Sequence, residues 1–299
     1  MALESLCAAF TKENLYMMED KQKMTMLVLS CDKYSDAWDD FFNLKERFWP
    51  NCDYKWYIVT ESKEYSRENV STIKCGTDLN WAGRFRKAVN EVDSPYIGLY
   101  LEDYFIQSPI DNERIKGFVD LMEKEKVSFL NLGNVFHHIL RQPNPEYFAP
   151  HLMYIPQHLR YGIDTAAAIW DKNYLLEKLG EGDYSAWKFE ADRCKEAESE
   201  AGLGGLILCD DQLSFNVSEV PVIIQGQLYP DAIKFFKEKV GYEIQSNRRV
   251  MSKWDVAKYK FKTKMSHAKH GRKLLKWIGT HILGYKFFTG LGRKNINVS

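Results

Sequence analysis

Apolar and polar positions alternate along the N-terminal third of the chain as they do in a sheet whose strands are connected by helices. Four segments have the apolar character of buried strands, at residues 24–31, 54–60, 71–75 and 96–101. Two segments place their apolar residues at helical spacing, at residues 38–48 and 81–92. This order predicts an α/β fold with a mostly parallel sheet flanked by helices.

The rest of the chain is less regular, because fewer segments keep one period over the length of an element. Helices are predicted at residues 111–124, 172–179, 185–200 and 230–239, and short strands at residues 127–132, 213–217 and 222–225. We predict one catalytic-type domain over residues 24–245, preceded by a lead-in segment at residues 1–23.

Acidic residues directly follow three of the predicted strands. Asp32 comes after the first strand, Glu61 after the second, and Glu102 and Asp103 after the strand at residues 96–101. Ligands of parallel sheets bind beyond the carboxyl ends of the strands. We therefore expect these side chains to lie along one rim of the sheet.

The zero formal net charge hides a strong asymmetry. Residues 248–299 contain 14 Lys/Arg and the single acid Asp255, a formal charge of +13, while residues 1–247 contain 27 Lys/Arg and 40 Asp/Glu, a charge of −13. The basic segment also contains apolar residues such as Trp254 and Trp277, so residues 246–299 are predicted to form a basic, amphipathic, helical tail. An anionic membrane surface is the favoured partner. Binding to nucleic acid is disfavoured, and docking of the tail on the acidic body is the alternative.

The composition and the motifs of the sequence argue against several classes of protein. The six cysteines occur singly, without the pairs of a zinc site or the density of a disulfide scaffold. No secretory signal and no run of 18 apolar residues is present, so we expect a cytoplasmic protein, peripheral on the inner face of the cell membrane. Gly-rich phosphate loops, a Gly-x-Ser-x-Gly elbow and Cys-x-x-Cys are missing from the sequence.

Two groups of residues combine chemistry at a useful spacing. The adjacent carboxylates of Glu102 and Asp103 suit a divalent cation or a ribose, although solvated turn acids explain them as well. Trp187 and Glu190 lie three residues apart on a predicted helix, which places an indole for stacking on a sugar beside a carboxylate for proton abstraction. The alternative is a core tryptophan and a surface glutamate.

A third group lies at a predicted helix start. Trp81 and Arg84 combine an aromatic ring and a cation where backbone N–H groups and the helix dipole favour anions. Arg84 is thus a candidate for binding a diphosphate. A solvated helix face explains the neighbouring Arg86 and Lys87 equally well.

Five ordered motifs together resemble bacterial glycosyltransferases of the GT-A fold found in capsule and surface-polysaccharide biosynthesis. They are Leu-Ser-Cys-Asp-Lys-Tyr (29–34), Trp-Tyr-Ile-Val-Thr-Glu (56–61), Trp81 with Arg84, Leu-Glu-Asp-Tyr-Phe (101–105) and Trp-Lys-Phe-Glu (187–190). The resemblance covers roughly residues 24–230. It implies a GT-A-like fold, and a nucleotide-diphosphate sugar donor bound by Ser30, Asp32, Glu61, Trp81, Arg84 and Glu102.

The resemblance also implies roles for the other candidates. GT-A enzymes commonly hold Mn²⁺ or Mg²⁺ through Asp-x-Asp, whereas this chain has Glu102-Asp103-Tyr104, so Asp103 is the expected ligand if a metal is bound. The expected reaction is an inverting transfer to a glycan or lipid-linked acceptor, with Glu190 as the catalytic base and Trp187 stacked on the acceptor. Asp103 and Asp211 are the alternative bases.

Two other functions stay open at this stage. A noncatalytic sugar-binding or scaffold protein can be built on the same fold. Paired carboxylates also serve glycoside hydrolases, although the arrangement at strand ends favours transfer.

Overall fold

A computed structural model describes residues 22–133 and 139–267. Eleven strands lie in this part of the chain: β1 Met24–Leu29, β2 Lys55–Thr60, β3 Val70–Lys74, β4 Tyr96–Leu101, β5 Val127–Gly133, β6 Tyr147–Ala149, β7 Leu152–Tyr154, β8 Ala167–Asp171, β9 Leu206–Asp210, β10 Ile223–Ile224 and β11 Gln227–Leu228. The helices are α1 Trp38–Phe48, α2 Trp81–Glu91, α3 Asn112–Glu125, α4 Lys172–Leu179, α5 Ala186–Ala197, α6 Pro230–Phe235 and α7 Lys253–His267. A 3-10 helix, Asp32–Ala37, precedes α1, and a π-helical turn, Phe236–Val240, follows α6.

Nine strands form one sheet in the order β3-β2-β1-β4-β8-β5-β9-β7-β6. Seven of them run in one direction, and only β7 and β8 run opposite to the others. Strands β10 and β11 form a separate antiparallel pair. The predicted α/β class, with a mostly parallel sheet flanked by helices, is confirmed.

The sheet is covered on both faces, which explains why its central strands are continuously apolar. One face packs against α1 and α3 through an aromatic cluster that includes Phe41, Trp56, Tyr100 and Phe215. The other face packs against α2, α4 and α5. The core therefore holds the carboxyl ends of β1 and β4 in fixed positions.

The structure corrects the predicted strand at residues 213–217. Leu213 and Asn216 have left-handed backbone conformations with φ of 52° and 47°, which turn the chain and interrupt an extended segment. Only an isolated bridge joins Val217 to Ile106.

Four strands of the main sheet were missed by the pattern analysis. Strand β8 begins in the run Ala166 to Ala168, and alanine favours helices over strands. Strands β6 and β7 have three residues each, too few to show a period. Strand β9 is apolar but was not separated from the irregular sequence around it.

The first residues of the predicted tail pack on the body. The Asp40 carboxylate accepts backbone hydrogen bonds from Gln245 and Ser246, both at 2.8 Å. Met251 is buried, and its N–H donates to the carbonyl of Leu228. The remainder of the tail up to His267 includes α7, while residues 268–299 and most of the predicted lead-in lie outside the described residues. Among the described helices, none combines the length and the apolar character that a membrane crossing requires.

Candidate functional site

A cleft of about 690 Å³ opens at the carboxyl ends of β1 and β4. Its wall includes seven of the nine residues expected at the site from the sequence: Ser30, Trp81, Arg84, Glu102, Asp103, Trp187 and Glu190. The residues come from two strand ends and the first turns of α2 and α5. The fold thus gathers side chains that are up to 160 positions apart in the sequence.

The floor of the cleft carries the carboxylates that follow β4. Glu102 is buried, and the nearby Ser30 hydroxyl, which accepts a 2.8 Å hydrogen bond from Trp38 Nε1, acts to lower its pKa. Burial and the neighbouring Asp103 raise the pKa of Glu102 well above its ordinary value. Burial likewise raises the pKa of Asp103 to about 6. This pair therefore favours a positively charged ligand.

Arg248 is a cation beside this pair that the sequence analysis had placed in the tail. Its guanidinium forms an ion pair with Asp36 at 2.5 Å, donates to the Lys33 carbonyl at 2.7 Å and lies 4.3 Å from the ring centroid of Tyr34. Its charge favours the ionised forms of both Glu102 and Asp103. The side-chain hydrogen bonds of Arg248 go to Lys33, Asp36 and Gly226, so its charge acts on the two carboxylates through space.

Asp32 and Glu61 lie behind the wall of the cleft. The carboxylate of Asp32 accepts from the hydroxyl of Ser62 at 2.6 Å and from backbone N–H groups of residues 61–63. Although burial acts to raise the pKa of Asp32, these hydrogen bonds lower it overall. Neither Asp32 nor Glu61 lines the cleft, and their contacts tie the loop after β1 to the loop after β2.

Glu61 in turn orients Arg84. Its Oε1 accepts from Arg84 Nη1 at 3.1 Å, and the Leu79 carbonyl accepts from the same nitrogen at 2.9 Å. Arg84 Nε is buried and has no hydrogen-bond partner within the part of the chain that the structure describes. Arg84 is therefore held in place on the wall of the cleft.

The N-terminus of α2 is already occupied by a carboxylate from a distant part of the chain. Asp183 accepts from the backbone N–H of Asn80 at 2.8 Å and of Gly83 at 2.9 Å. The side chain of the N-cap residue, Asn80, makes no capping hydrogen bond. The idea that free N–H groups of this helix start bind an anion is therefore wrong, and Arg84 is the local group that can do so.

Trp187 and Glu190 extend from the first turns of α5 onto the same wall. Trp187 is 69% exposed, which rules out a core tryptophan. Glu190 Oε1 accepts a 3.0 Å hydrogen bond from the hydroxyl of Thr165. The carboxylate is thus positioned by a residue from another part of the chain, while the exposed indole beside it is available for stacking.

The segment of residues 218–225, which includes β10, and Tyr259 of α7 also line the cleft. The sequence analysis did not identify these residues as part of the site, nor Tyr34, Thr165 and Arg248. For Thr165 a usable pattern existed, because it precedes the apolar run that becomes β8. The other residues reach the cleft only through tertiary packing, which no local pattern records.

The structure places the other candidates away from the cleft. Asp211 contacts His151 at 3.0 Å and Tyr147 at 3.2 Å. Asp210 is fully buried and paired with Arg114 at 2.7 Å. His137 and His138 lie outside the described residues. Within residues 22–133 and 139–267, no group of three His, Cys, Asp or Glu side chains is arranged to hold a metal ion.

Comparisons with known proteins give structural likenesses only. No protein-family model matches the sequence, and no curated protein matches it. The chain is similar to a cytidylyltransferase from Leptospira borgpetersenii serovar Hardjo-bovis, with a TM-score of 0.41 and 12% identity over 77% of this chain and 100% of that one. It is similar to S. aureus TarS 1-349 in complex with UDP, with a TM-score of 0.40 and 9% identity over 88% and 73% of the two chains.

The bifunctional IspDF from Campylobacter jejuni is a third similar structure, with a TM-score of 0.36 and 11% identity. The match covers 63% of this chain and 49% of that protein, so the chain spans about half of its length. Likenesses of this size place the chain in no family.

Proposed function

We propose that the chain is a GT-A-like glycosyltransferase that moves a sugar from a nucleotide-diphosphate sugar to a hydroxyl group. The observation that carries the proposal is the cleft itself. At the carboxyl ends of a mostly parallel sheet, it brings together the adjacent carboxylates of Glu102 and Asp103, an arginine held by an ion pair, and a carboxylate next to an exposed indole. Each of these groups matches one requirement of glycosyl transfer.

The donor would occupy the side of the cleft lined by Ser30, Trp81 and Arg84. Arg84 supplies a fixed positive charge for the diphosphate, since Glu61 holds one end of its guanidinium. The ring of Tyr34 lines the same cleft and is backed by the guanidinium of Arg248, so it offers a flat, rigid surface to a base. Asp32 acts by fixing the loops on which these groups lie.

A divalent cation fits the carboxylate pair. Glu102 is buried and the adjacent Asp103 is partly buried, burial and repulsion by Asp103 raise the pKa of Glu102, and the nearby cation Arg248 already pairs with Asp36. Mg²⁺ is usually bound by one or two carboxylates together with substrate phosphates, which agrees with the lack of a third protein ligand in the described residues. Mn²⁺ or Mg²⁺ bound there would neutralise charge on the leaving diphosphate.

In the proposed reaction, Glu190 removes the proton from the acceptor hydroxyl as the acceptor oxygen attacks the anomeric carbon. The new bond joins that oxygen to the anomeric carbon, the bond from the anomeric carbon to the phosphate oxygen breaks, and the nucleoside diphosphate leaves with the electron pair. Attack from the face opposite the leaving group inverts the configuration. Trp187 stacks on the acceptor sugar, and Arg84 balances the charge of the leaving group.

The acceptor in this proposal is a glycan or a lipid-linked glycan of surface-polysaccharide synthesis. The enzyme works in the cytoplasm as a peripheral protein of the inner face of the membrane, because a tail of charge +13 is attracted to anionic lipid. In this proposal the catalytic domain comprises residues 24–245, and the basic tail that follows it attaches the enzyme to the membrane.

The test begins with calorimetry of the full chain against UDP-, GDP-, dTDP- and CMP-sugars, each with and without Mn²⁺. UDP is the natural first ligand, as it is bound to TarS in the structure named above. We expect one donor class to bind and transfer to occur with that donor. Free sugar released without an acceptor would instead support a hydrolase, and no binding by a folded sample would refute the proposal.

Glu190→Gln is the matching test of catalysis. The amide oxygen keeps the acceptor of the Thr165 hydrogen bond, so folding and donor affinity should not change. Removing a general base typically lowers turnover by a factor of about 10²–10⁴. Asp211→Asn, outside the cleft, is the control. Unchanged turnover in Glu190→Gln would contradict the assignment of the base.

A further inference from the structure

One face of helix α7 packs on the body and contributes a residue to the lining of the cleft. Tyr259 lines the cleft and packs edge-on against Tyr229, with ring centroids 6.0 Å apart. Lys260 forms an ion pair with Asp231 at 3.2 Å, and Val256 packs against the core. These contacts fix the rotation of the helix on the body.

The opposite face of α7 is exposed and combines aromatic and basic side chains. Trp254 is 77% exposed and Phe261 is 63% exposed, and the exposed Lys258 lies between them. At 3.6 residues per turn, positions 254, 258 and 261 fall on one side of the helix, and position 259 falls on the other. We call Trp254, Lys258 and Phe261 the docking face.

The charge of α7 indicates which kind of partner the docking face suits. Asp255 is the only acid in residues 248–299, and its carboxylate accepts from Ser252 at 2.7 Å and from Arg249 at 3.1 Å. The lysines of α7 therefore meet little opposing charge on their own helix. An anionic bilayer offers both negative headgroups and an apolar layer for the two aromatic rings. A polynucleotide offers phosphates but no such layer, and the acidic body lies against the other side of α7.

We propose that the docking face binds α7 to an anionic membrane surface and that the acceptor is a lipid-linked glycan that enters the cleft past Tyr259. An α-helix with its side chains is about 10 Å across, so one helix separates the bilayer surface from the wall of the cleft. A glycan anchored in the bilayer can reach the cleft over that distance while its lipid stays in the membrane. The identity of the acceptor rests on the proposed transferase function, whereas membrane docking does not.

Docking is tested by co-sedimentation of the full chain with vesicles of three parts phosphatidylcholine and one part phosphatidylglycerol, and with vesicles of phosphatidylcholine alone. We expect binding to the anionic vesicles only. The double variant Trp254→Ala/Phe261→Ala should bind about tenfold or more weakly, because two apolar side chains are lost from the interface. Lys258→Gln should bind about fivefold more weakly, the equivalent of about 1 kcal/mol for one basic residue.

Two exposed residues far from α7 provide matched controls. Tyr147→Ala removes an aromatic ring that is 51% exposed on β6, and Lys124→Gln removes a lysine whose side chain is 81% exposed on α3. Neither should change vesicle binding. Since all these side chains are exposed, the variants should fold, and calorimetry should show unchanged donor binding in each.

Equal binding of the wild type and the double variant would overturn the docking face, even if residues beyond α7 attach the chain to vesicles. Equal binding to neutral vesicles would overturn the role of charge. A single-stranded DNA oligonucleotide that displaces the chain from vesicles would favour nucleic acid as the partner. Labelled sugar should pass from the donor into the organic-extractable lipid of membranes, and label confined to water-soluble glycans would overturn the lipid-linked acceptor while leaving docking intact.

Discussion

The carboxylate pair of the cleft should weaken the fold at neutral pH, and Glu102→Gln should strengthen it. The ordinary pKa of a glutamate is 4.5, and that of Glu102 in the folded protein is raised well above this value. A carboxyl group with a raised pKa binds its proton more tightly in the folded than in the unfolded chain. Stability is therefore lost as pH rises from the unfolded pKa to the folded one.

The magnitude follows from the interval between the two values. Each pH unit between the unfolded and the folded pKa is equivalent to about 1.36 kcal/mol, so Glu102 lowers stability progressively as pH rises above 4.5. Asp103, with its pKa raised to about 6, adds a loss of its own between pH 4 and pH 6. Glu102→Gln removes the loss of stability due to Glu102 and keeps the size of the side chain.

The assay is urea unfolding at pH 4, 6 and 8, with Glu91→Gln on the exposed surface of α2 as the control. We expect Glu102→Gln to be more stable than the wild type at pH 6 and pH 8, and to match it at pH 4, where Glu102 is protonated in both the folded and the unfolded chain. Donor affinity should fall in the variant if the pair holds a cation. A variant that is less stable at pH 6 and 8, or equally affected at all three pH values, would refute this account of the pair.

Three further outcomes are expected. Trp187→Ala should raise the acceptor KM about tenfold, since stacking is worth about 1.4 kcal/mol, with little change in the melting temperature or donor affinity; a loss of stability would show that the indole packs in the core. Thr165→Val should lower kcat about tenfold without changing donor binding, and Thr165→Ser should restore it, because the hydroxyl positions Glu190; failure of the serine to rescue would argue against that role. Arg114→Met should lower the free energy of unfolding by about 3 kcal/mol, because it leaves the carboxylate of Asp210 buried and unpaired. This value is at the lower end of the range for broken buried ion pairs, since Arg114 is partly exposed. Adding Asp210→Asn should recover part of the loss.

Local sequence was sufficient to predict those helices and strands that are long or continuously apolar. Strands β1, β2 and β4 are buried on both faces, so each is recognisable in the sequence as a short run of apolar residues. Helix α3 begins where Asp111 caps it, because its carboxylate accepts from the N–H groups of Glu113 and Arg114. Such rules act within a few residues, and a sequence displays them directly.

The candidate site was predictable to the extent that it follows from strand order. Carboxyl ends of neighbouring parallel strands meet at one edge, so Ser30 and the Glu102–Asp103 pair had to be close once the sheet formed. Trp187 and Glu190 were recognisable as a helical pair, but their position opposite β4 depends on how α5 packs.

The sequence by itself determined the class of fold, the rim of the sheet at which the candidate site lies, and the separation of charge between body and tail. Only the tertiary structure decided that Asp183 caps α2, that Asp32 and Glu61 support the cleft from behind, and that Arg248 and Tyr259 return to it from the C-terminal segment. The physical reason is the distance along the chain over which each interaction acts. Hydrogen-bonded caps and apolar periods act between near neighbours in the chain, whereas burial, ion pairing and the pKa of the carboxylates depend on residues that only packing brings together.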